Sequence, residues 1–215
     1  MTYLSWAVLH EGDTDAAWLD LLIPRLMDEI VMLHGIRHST IPAAPALRLR
    51  RASVDEVANE ACQASDAFYL VFVHADTGGR NQEAGLELRA HAYREAMNAL
   101  CAWPPVRCIT ITPRHETEAW ILADSEAVTS ALGYNGSPDS IGLPASAAQT
   151  ERPGDPKAVL SGAVDLVRGR RRHIDVKRIF PAIAQRQSFA VLRQTRSFAT
   201  FERTLLAALA DPGCI

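Results

Sequence analysis

Residues 68–79 read Phe-Tyr-Leu-Val-Phe-Val-His-Ala-Asp-Thr-Gly-Gly. Phe68 to Val73 is an unbroken apolar and aromatic run, which marks a strand covered on both faces, as in the centre of a parallel sheet. His74-Ala75-Asp76 follows at its carboxyl end, and Gly78-Gly79 lets backbone approach a ligand closely. Open α/β sheets bind ligands outside the carboxyl ends of their strands, so Asp76 is a candidate functional residue. Its plain alternative is a polar turn residue. The glycine pair is not a P-loop, because no Gly-Lys-Ser/Thr follows.

Working outward, Leu4 to Leu9 and Val106 to Ile111 read as further buried strands. In Ala46 to Arg50 the residues Leu47 and Leu49 alternate with Arg48 and Arg50, the pattern of a half-buried edge strand. Between the strands, apolar positions recur at helical spacing. Trp18, Leu21, Leu22, Leu26, Ile30 and Leu33 predict a first helix, capped by Asp13 or Thr14, kinked at Pro24 and ending near Gly35. Ser53 and Glu56 form a capping box for a second helix. Gln82 to Leu100 and Glu116 to Ala131 predict two more. Strands alternating with helices indicate a mostly parallel α/β sheet over residues 1–133. Residues 134–215 begin with a Gly/Pro/Ser/Ala-rich loop. They continue with helical patterns at Pro156–Arg168, Val176–Gln185 and Phe198–Leu209, which predict a helical appendage packed on that core.

Three acidic clusters then fall at one edge of the sheet: Glu11, Asp13 and Asp15; Asp76; and Glu116 with Glu118. Carboxylates gathered at such an edge are suited to a hard divalent cation, Mg²⁺ or Mn²⁺. Asp13 and Asp15 are most simply helix-start residues that complement the dipole. Glu11 precedes the cap and lies at the strand tip, so it is the stronger candidate. Glu116 and Glu118, two apart on a helix start at about 100° per residue, point to different faces, so one of them is expected to face the site. His10, His74 and His115 are the nearby proton carriers. Arg80, Lys157 and the basic run that contains Arg170 and Arg171 are the candidate contacts to phosphate.

The 215 residues carry a net charge of −3, so nucleic-acid binding would need a local basic patch rather than the whole surface. Cys62, Cys101 and Cys108 sit among apolar neighbours and read as small core residues; neither metal-ligand spacing nor a disulfide framework is evident among the four cysteines. No basic, apolar leader and no run of membrane-span length is visible, which predicts a soluble cytoplasmic protein.

Glu11-Gly12-x-Thr14-Asp15, the strand ending at His74-Ala75-Asp76, and Glu116-Thr117-Glu118-Ala119-Trp120-Ile121-Leu122-Ala123-Asp124 resemble the Toprim-related family called domain of unknown function 4276. Asp155-Pro156-Lys157 and Ser197-Phe198-x-x-Phe201 extend the resemblance over nearly the whole chain. It implies a doubly wound, Toprim-like fold and a Mg²⁺- or Mn²⁺-dependent nuclease, with Glu11 as the first-strand glutamate and Asp76 in the later Asp-x-Asp motif. It also implies bacterial anti-phage defence beside an ATPase partner. One member of the Asp-x-Asp is absent, since His74 or Gly78 occupies the paired position. The expected site is therefore Glu11, Asp76 and Glu118 or Glu116 as metal ligands, with His74 as a catalytic or replacement ligand. The competing expectation is a catalytically degenerate scaffold or regulatory subunit that binds an ATPase or a second copy of itself.

Overall fold

The computed structural model describes residues 2–76, 90–152, 154–169 and 176–215. The strands are β1 (Thr2–Tyr3), β2 (Trp6–Leu9), β3 (Ser39–Thr40), β4 (Leu47–Leu49), β5 (Leu70–His74) and β6 (Cys108–Ile111). The helices are α1 (Asp13–His34), α2 (Val54–Gln63), α3 (His91–Cys101), α4 (Thr117–Ala123), α5 (Ser125–Leu132), α6 (Pro156–Arg168), α7 (Phe180–Arg186), α8 (Phe189–Leu192) and α9 (Arg196–Ala210). A parallel four-stranded sheet runs β4-β2-β5-β6, and β1 pairs with β3 in a short parallel annex. The α/β class with parallel strands follows the sequence pattern, and β4 lies at the edge of the main sheet as its alternation predicts.

Period-two alternation sends the strand residues to two cores. Trp6, Val8, Leu70, Phe72, Ile109 and Ile111 join α1, α4 and the helices after residue 134 in the larger one. Ala7, Leu9, Leu49, Val71, Val73 and Cys108 face α2 and α3. Both faces of the sheet are thus covered, which is why Leu70 to Val73 contains no polar residue. In the larger core Trp120 lies against Phe198 and Phe201 of α9, with ring centroids 5.1 and 5.6 Å away. A second tie is Gln187, 1% exposed, which accepts from Trp18 Nε1 at 2.8 Å and donates to the Trp120 and Ile121 carbonyls. Those carbonyls belong to the last turn of α4, where no intrahelical donor is left for them.

Several local expectations need correction. Gly12, with an extended backbone, is the N-cap of α1 and no side chain caps it, so neither Asp13 nor Thr14 has that role. Pro24 lies buried inside α1, which runs from Asp13 to His34 and ends at Gly35 as the sequence predicts. The predicted Glu116–Ala131 helix is two helices, because Asp124 breaks it: Oδ1 accepts from the Ala127 N–H at 3.1 Å and Oδ2 from the Ser188 N–H at 2.8 Å. The Ser53–Glu56 capping box is formed as read. Cys62 and Cys101 are not merely small core residues; they are joined in a disulfide between α2 and α3. Among the described residues no helix is long and apolar enough to cross a membrane.

Candidate functional site

In the sheet order, β4 lies on one side of β2 and β5 on the other. The chain therefore reverses direction of travel at β2, and the crevice between the tips of β2 and β5 is the position where such sheets bind ligands. Leu9 is level with Val73, so Glu11 and Asp76 emerge side by side beyond them. They are in contact: Glu11 Oε2 accepts from the Asp76 backbone N–H at 2.8 Å. The extended Gly12 delays the start of α1 and leaves Glu11 on the strand extension instead of in the first helical turn.

His74 closes β5 and is 2% exposed. Its Nε2 lies 3.1 Å from Thr117 Oγ1 and 3.2 Å from Asp76 Oδ1; its Nδ1 lies 3.7 Å from Asp15 Oδ2 and 3.5 Å from the Glu11 backbone nitrogen. Thr117 Oγ1 donates in turn to Asp15 Oδ1 at 2.7 Å. Burial opposes protonation of this imidazole more than any other single influence. The hydrogen bond to Asp76 and the charges of Asp15, Asp76 and Glu11 together outweigh it, and the pKa is raised above the ordinary 6.5. The 3.5 Å approach of the Glu11 N–H favours a bare Nδ1, but it is at the limit of a hydrogen bond, whereas three carboxylates act on the ring.

Asp15 is thus part of the site and not only a helix-start residue. A signal for it exists in the sequence. The buried stripe of α1 runs Asp15, Trp18, Leu19, Leu22, Ile23, Leu26, Met27 and Ile30, so Asp15 is the polar member of an apolar face. A carboxylate at such a position needs a partner, and here it has Thr117.

After β6 the chain passes through His115, whose φ of 72° lies in the left-handed region. Such a backbone costs a non-glycine residue on the order of 1–3 kcal/mol and is concentrated at functional sites. Glu116 follows with an extended backbone as the N-cap of α4, and Glu118 lies in its first turn. The helical angle of 100° per residue therefore does not separate them. Both reach one cation: Lys157 Nζ is 3.5 Å from Glu116 Oε1 and 3.9 Å from Glu118 Oε1. Of the two, Glu118 is the buried one and Glu116 is half-buried. Burial raises the Glu118 pKa; Lys157 pulls it down, Glu116 and Asp15 push it up, and the net shift is upward. Burial works against the charge on Lys157, but Glu118, Glu116 and Asp76 more than offset it and its pKa is raised. Lys157, expected at phosphate, is held by carboxylates.

On the α2 side of the same edge lies a cleft of about 330 Å³ lined by His10, Glu11, Arg51, Val54, His74 and Tyr93. Arg51 donates to the Glu11 carbonyl at 3.1 Å. His10 pairs with Asp20 at 2.8 Å, and Arg48 pairs with the other oxygen of that carboxylate at 2.7 Å. Arg80, Arg170 and Arg171, like Gly78, lie outside the described residues.

Glu11, Asp15, His74, Asp76 and Thr117 thus form one linked cluster, with Glu116, Glu118 and Lys157 alongside it through charge. Among the described residues no group of three or more His, Cys, Asp or Glu side chains is arranged to hold a metal ion. No family model, curated protein or solved structure matches the chain.

Proposed function

We propose that the chain is a Toprim-like enzyme that uses Mg²⁺ or Mn²⁺ to act on nucleic-acid phosphodiesters. The observation that supports this most is the contact between Glu11 and the Asp76 backbone at the reversal point of a parallel sheet, beside three further carboxylates. A caged ion such as Ca²⁺ needs more protein oxygens than converge among the described residues. Mg²⁺ fits better, since it keeps several waters and takes one or two carboxylates plus substrate phosphate. Glu11 and Asp76 would hold it, with Glu118 reached through water. Held there, such an ion would supply Lewis acidity toward a phosphoryl oxygen and toward water.

The protein's own groups divide the remaining work. His74 steadies the Asp76 carboxylate from inside the fold and keeps the negative edge from repelling itself apart. Lys157 does the same for Glu116 and Glu118, and is placed to shift toward incoming phosphate. Anti-phage defence, an ATPase partner and self-association rest on the family resemblance alone.

A second reading, a scaffold without catalysis, is favoured by one observation. The position paired with Asp76 is His74 or Gly78, neither a carboxylate, and the ring of His74 is committed to Asp76 and Thr117. Calorimetric titration with Mn²⁺ and cleavage assays on DNA and RNA separate the two. The nuclease reading expects Mn²⁺ binding and metal-dependent cleavage, both lost in Glu11→Gln and Asp76→Asn. Absence of binding and of cleavage in the natural protein refutes it and leaves the scaffold.

A further inference from the structure

The disulfide between Cys62 and Cys101 lies away from the acidic edge, yet it is connected to it by the course of the chain. Cys62 is the penultimate residue of α2 and Cys101 the last residue of α3. The two helices pack on one face of the sheet. Their other ends flank the cleft: Val54 opens α2 and Tyr93 lies in the first turn of α3. The 39-residue separation encloses β5, His74 and Asp76. A bond at this place therefore restrains the segment that carries two site residues, and ties together the two helices that wall the cleft.

The four cysteines are not equivalent. Cys108 and Cys214 are free and buried, and burial pushes the Cys108 thiol up to about 12. Cys62 is partly exposed and Cys101 is exposed, so the bonded pair is open to a small thiol or a small disulfide. Both Sγ atoms also lie near the Met97 carbonyl of α3, at 3.8 and 3.3 Å.

We propose that Cys62 and Cys101 are a redox modification site, a dithiol converted to a cross-link by a low-molecular-weight disulfide and restored by a low-molecular-weight thiol. One cysteine, as thiolate, attacks a sulfur of glutathione disulfide and releases one glutathione. The second cysteine thiolate then attacks the protein sulfur of that mixed disulfide and releases the other. Two protein thiols are oxidised, one glutathione disulfide is reduced to two glutathiones, and the two thiol protons end on them. The oxidised form locks the α2–α3 wall of the cleft; the reduced form leaves it held by packing alone.

The test uses the full chain, first reduced with dithiothreitol and then exposed to glutathione disulfide, with no metal or substrate, so its result is independent of the proposed nuclease activity. After oxidation and alkylation, peptide mass spectrometry is expected to show the Cys62 peptide joined to the Cys101 peptide, with the loss of two hydrogens. The oxidised form is expected to melt roughly 8–16 °C above the reduced form, from closure of the 39-residue loop. Hydrogen exchange over residues 91–101 is expected to slow on oxidation while α9 is unaffected. Cys101→Ser should remove the difference between the two treatments. Cysteines that remain fully alkylatable after oxidant, adducts of glutathione without the cross-link, or melting temperatures within about 2 °C of each other overturn the proposal.

Discussion

Thr117→Val tests the centre of the site without changing its shape. The substitution keeps the branched side chain and removes one hydroxyl. That hydroxyl donates to Asp15 at 2.7 Å and faces His74 Nε2 at 3.1 Å, and all three residues are buried. Valine therefore strands an acceptor on Asp15 and removes one of the partners of His74. A hydrogen bond to a charged group contributes about 1.5–3 kcal/mol, and a buried polar group left unsatisfied costs about 1–3 kcal/mol. Asp76 still holds the His74 ring, so the two losses do not add in full. The expected destabilisation is about 2–4 kcal/mol. For a chain of this size that moves the melting temperature down by roughly 4–16 °C and the urea midpoint down by about 1–2 M. Urea unfolding followed by tryptophan fluorescence reads it well, because Trp6, Trp18 and Trp120 are fully buried. Thr117→Ser is the control: it retains the hydroxyl and is expected to lose about 1.5 kcal/mol or less, for the missing methyl. A valine variant within about 0.5 kcal/mol of the natural protein, or one no worse than serine, refutes the network.

Three other outcomes follow from the same geometry. Gln187→Leu strands the Trp18 N–H and the terminal carbonyls of α4, and is expected to cost about 2–5 kcal/mol in urea unfolding; a neutral result refutes the proposed tie between α1, α4 and the chain after residue 134. Asp20 has its pKa below the ordinary 3.8: burial alone would raise it, but His10 and Arg48 together bring it down. Its contribution to stability is therefore present above pH 3.8 and lost as the pH falls through the folded value, so Asp20→Asn should flatten the acid limb of the stability–pH profile. Cys108, with its thiol pushed up to about 12 and 2% exposed, should escape iodoacetamide in the folded protein and react once unfolded; rapid labelling of the native form contradicts its burial.

The parallel sheet was legible because its central strands bury both faces, and burial on both faces leaves a contiguous apolar run. The edge strand was legible for the complementary reason, Leu47 and Leu49 alternating with arginines. Glu11 and Asp76 could be selected because each follows the carboxyl end of an apolar strand run and lies in a motif of the resemblance; the structure sets those two strand ends level. What sequence periodicity misjudged were residues whose backbone leaves the regular period. Glu116 is extended, so the angle that separates it from Glu118 on a helical wheel does not exist. Asp124 spends its carboxylate on Ala127 and on Ser188, a contact 64 residues away that no local pattern contains. The Cys62–Cys101 bond spans 39 residues and depends on how α2 meets α3, not on spacing. Asp15 was the one error with a readable remedy, since its place on the apolar stripe of α1 asks for a buried partner.

His74 gives the site its particular character. An aspartate there would add a fourth carboxylate beside Glu11, Asp15 and Asp76, and the like charges would disfavour one another's ionised forms. The imidazole adds no negative charge, its pKa is raised by the carboxylates around it, and it joins β5 to α4 through Thr117 and to α1 through Asp15. Lys157 repeats the arrangement for Glu116 and Glu118. Each acidic group thus has a basic side chain of the protein against it. These basic groups set the terms for any cation that enters, since it competes with them for the same carboxylates. For the proposed Mg²⁺ or Mn²⁺ site this competition is read by Mn²⁺ calorimetry on the natural protein and on Lys157→Met: removal of the ammonium is expected to tighten Mn²⁺ binding, and unchanged or weaker binding refutes the counter-charge role of Lys157.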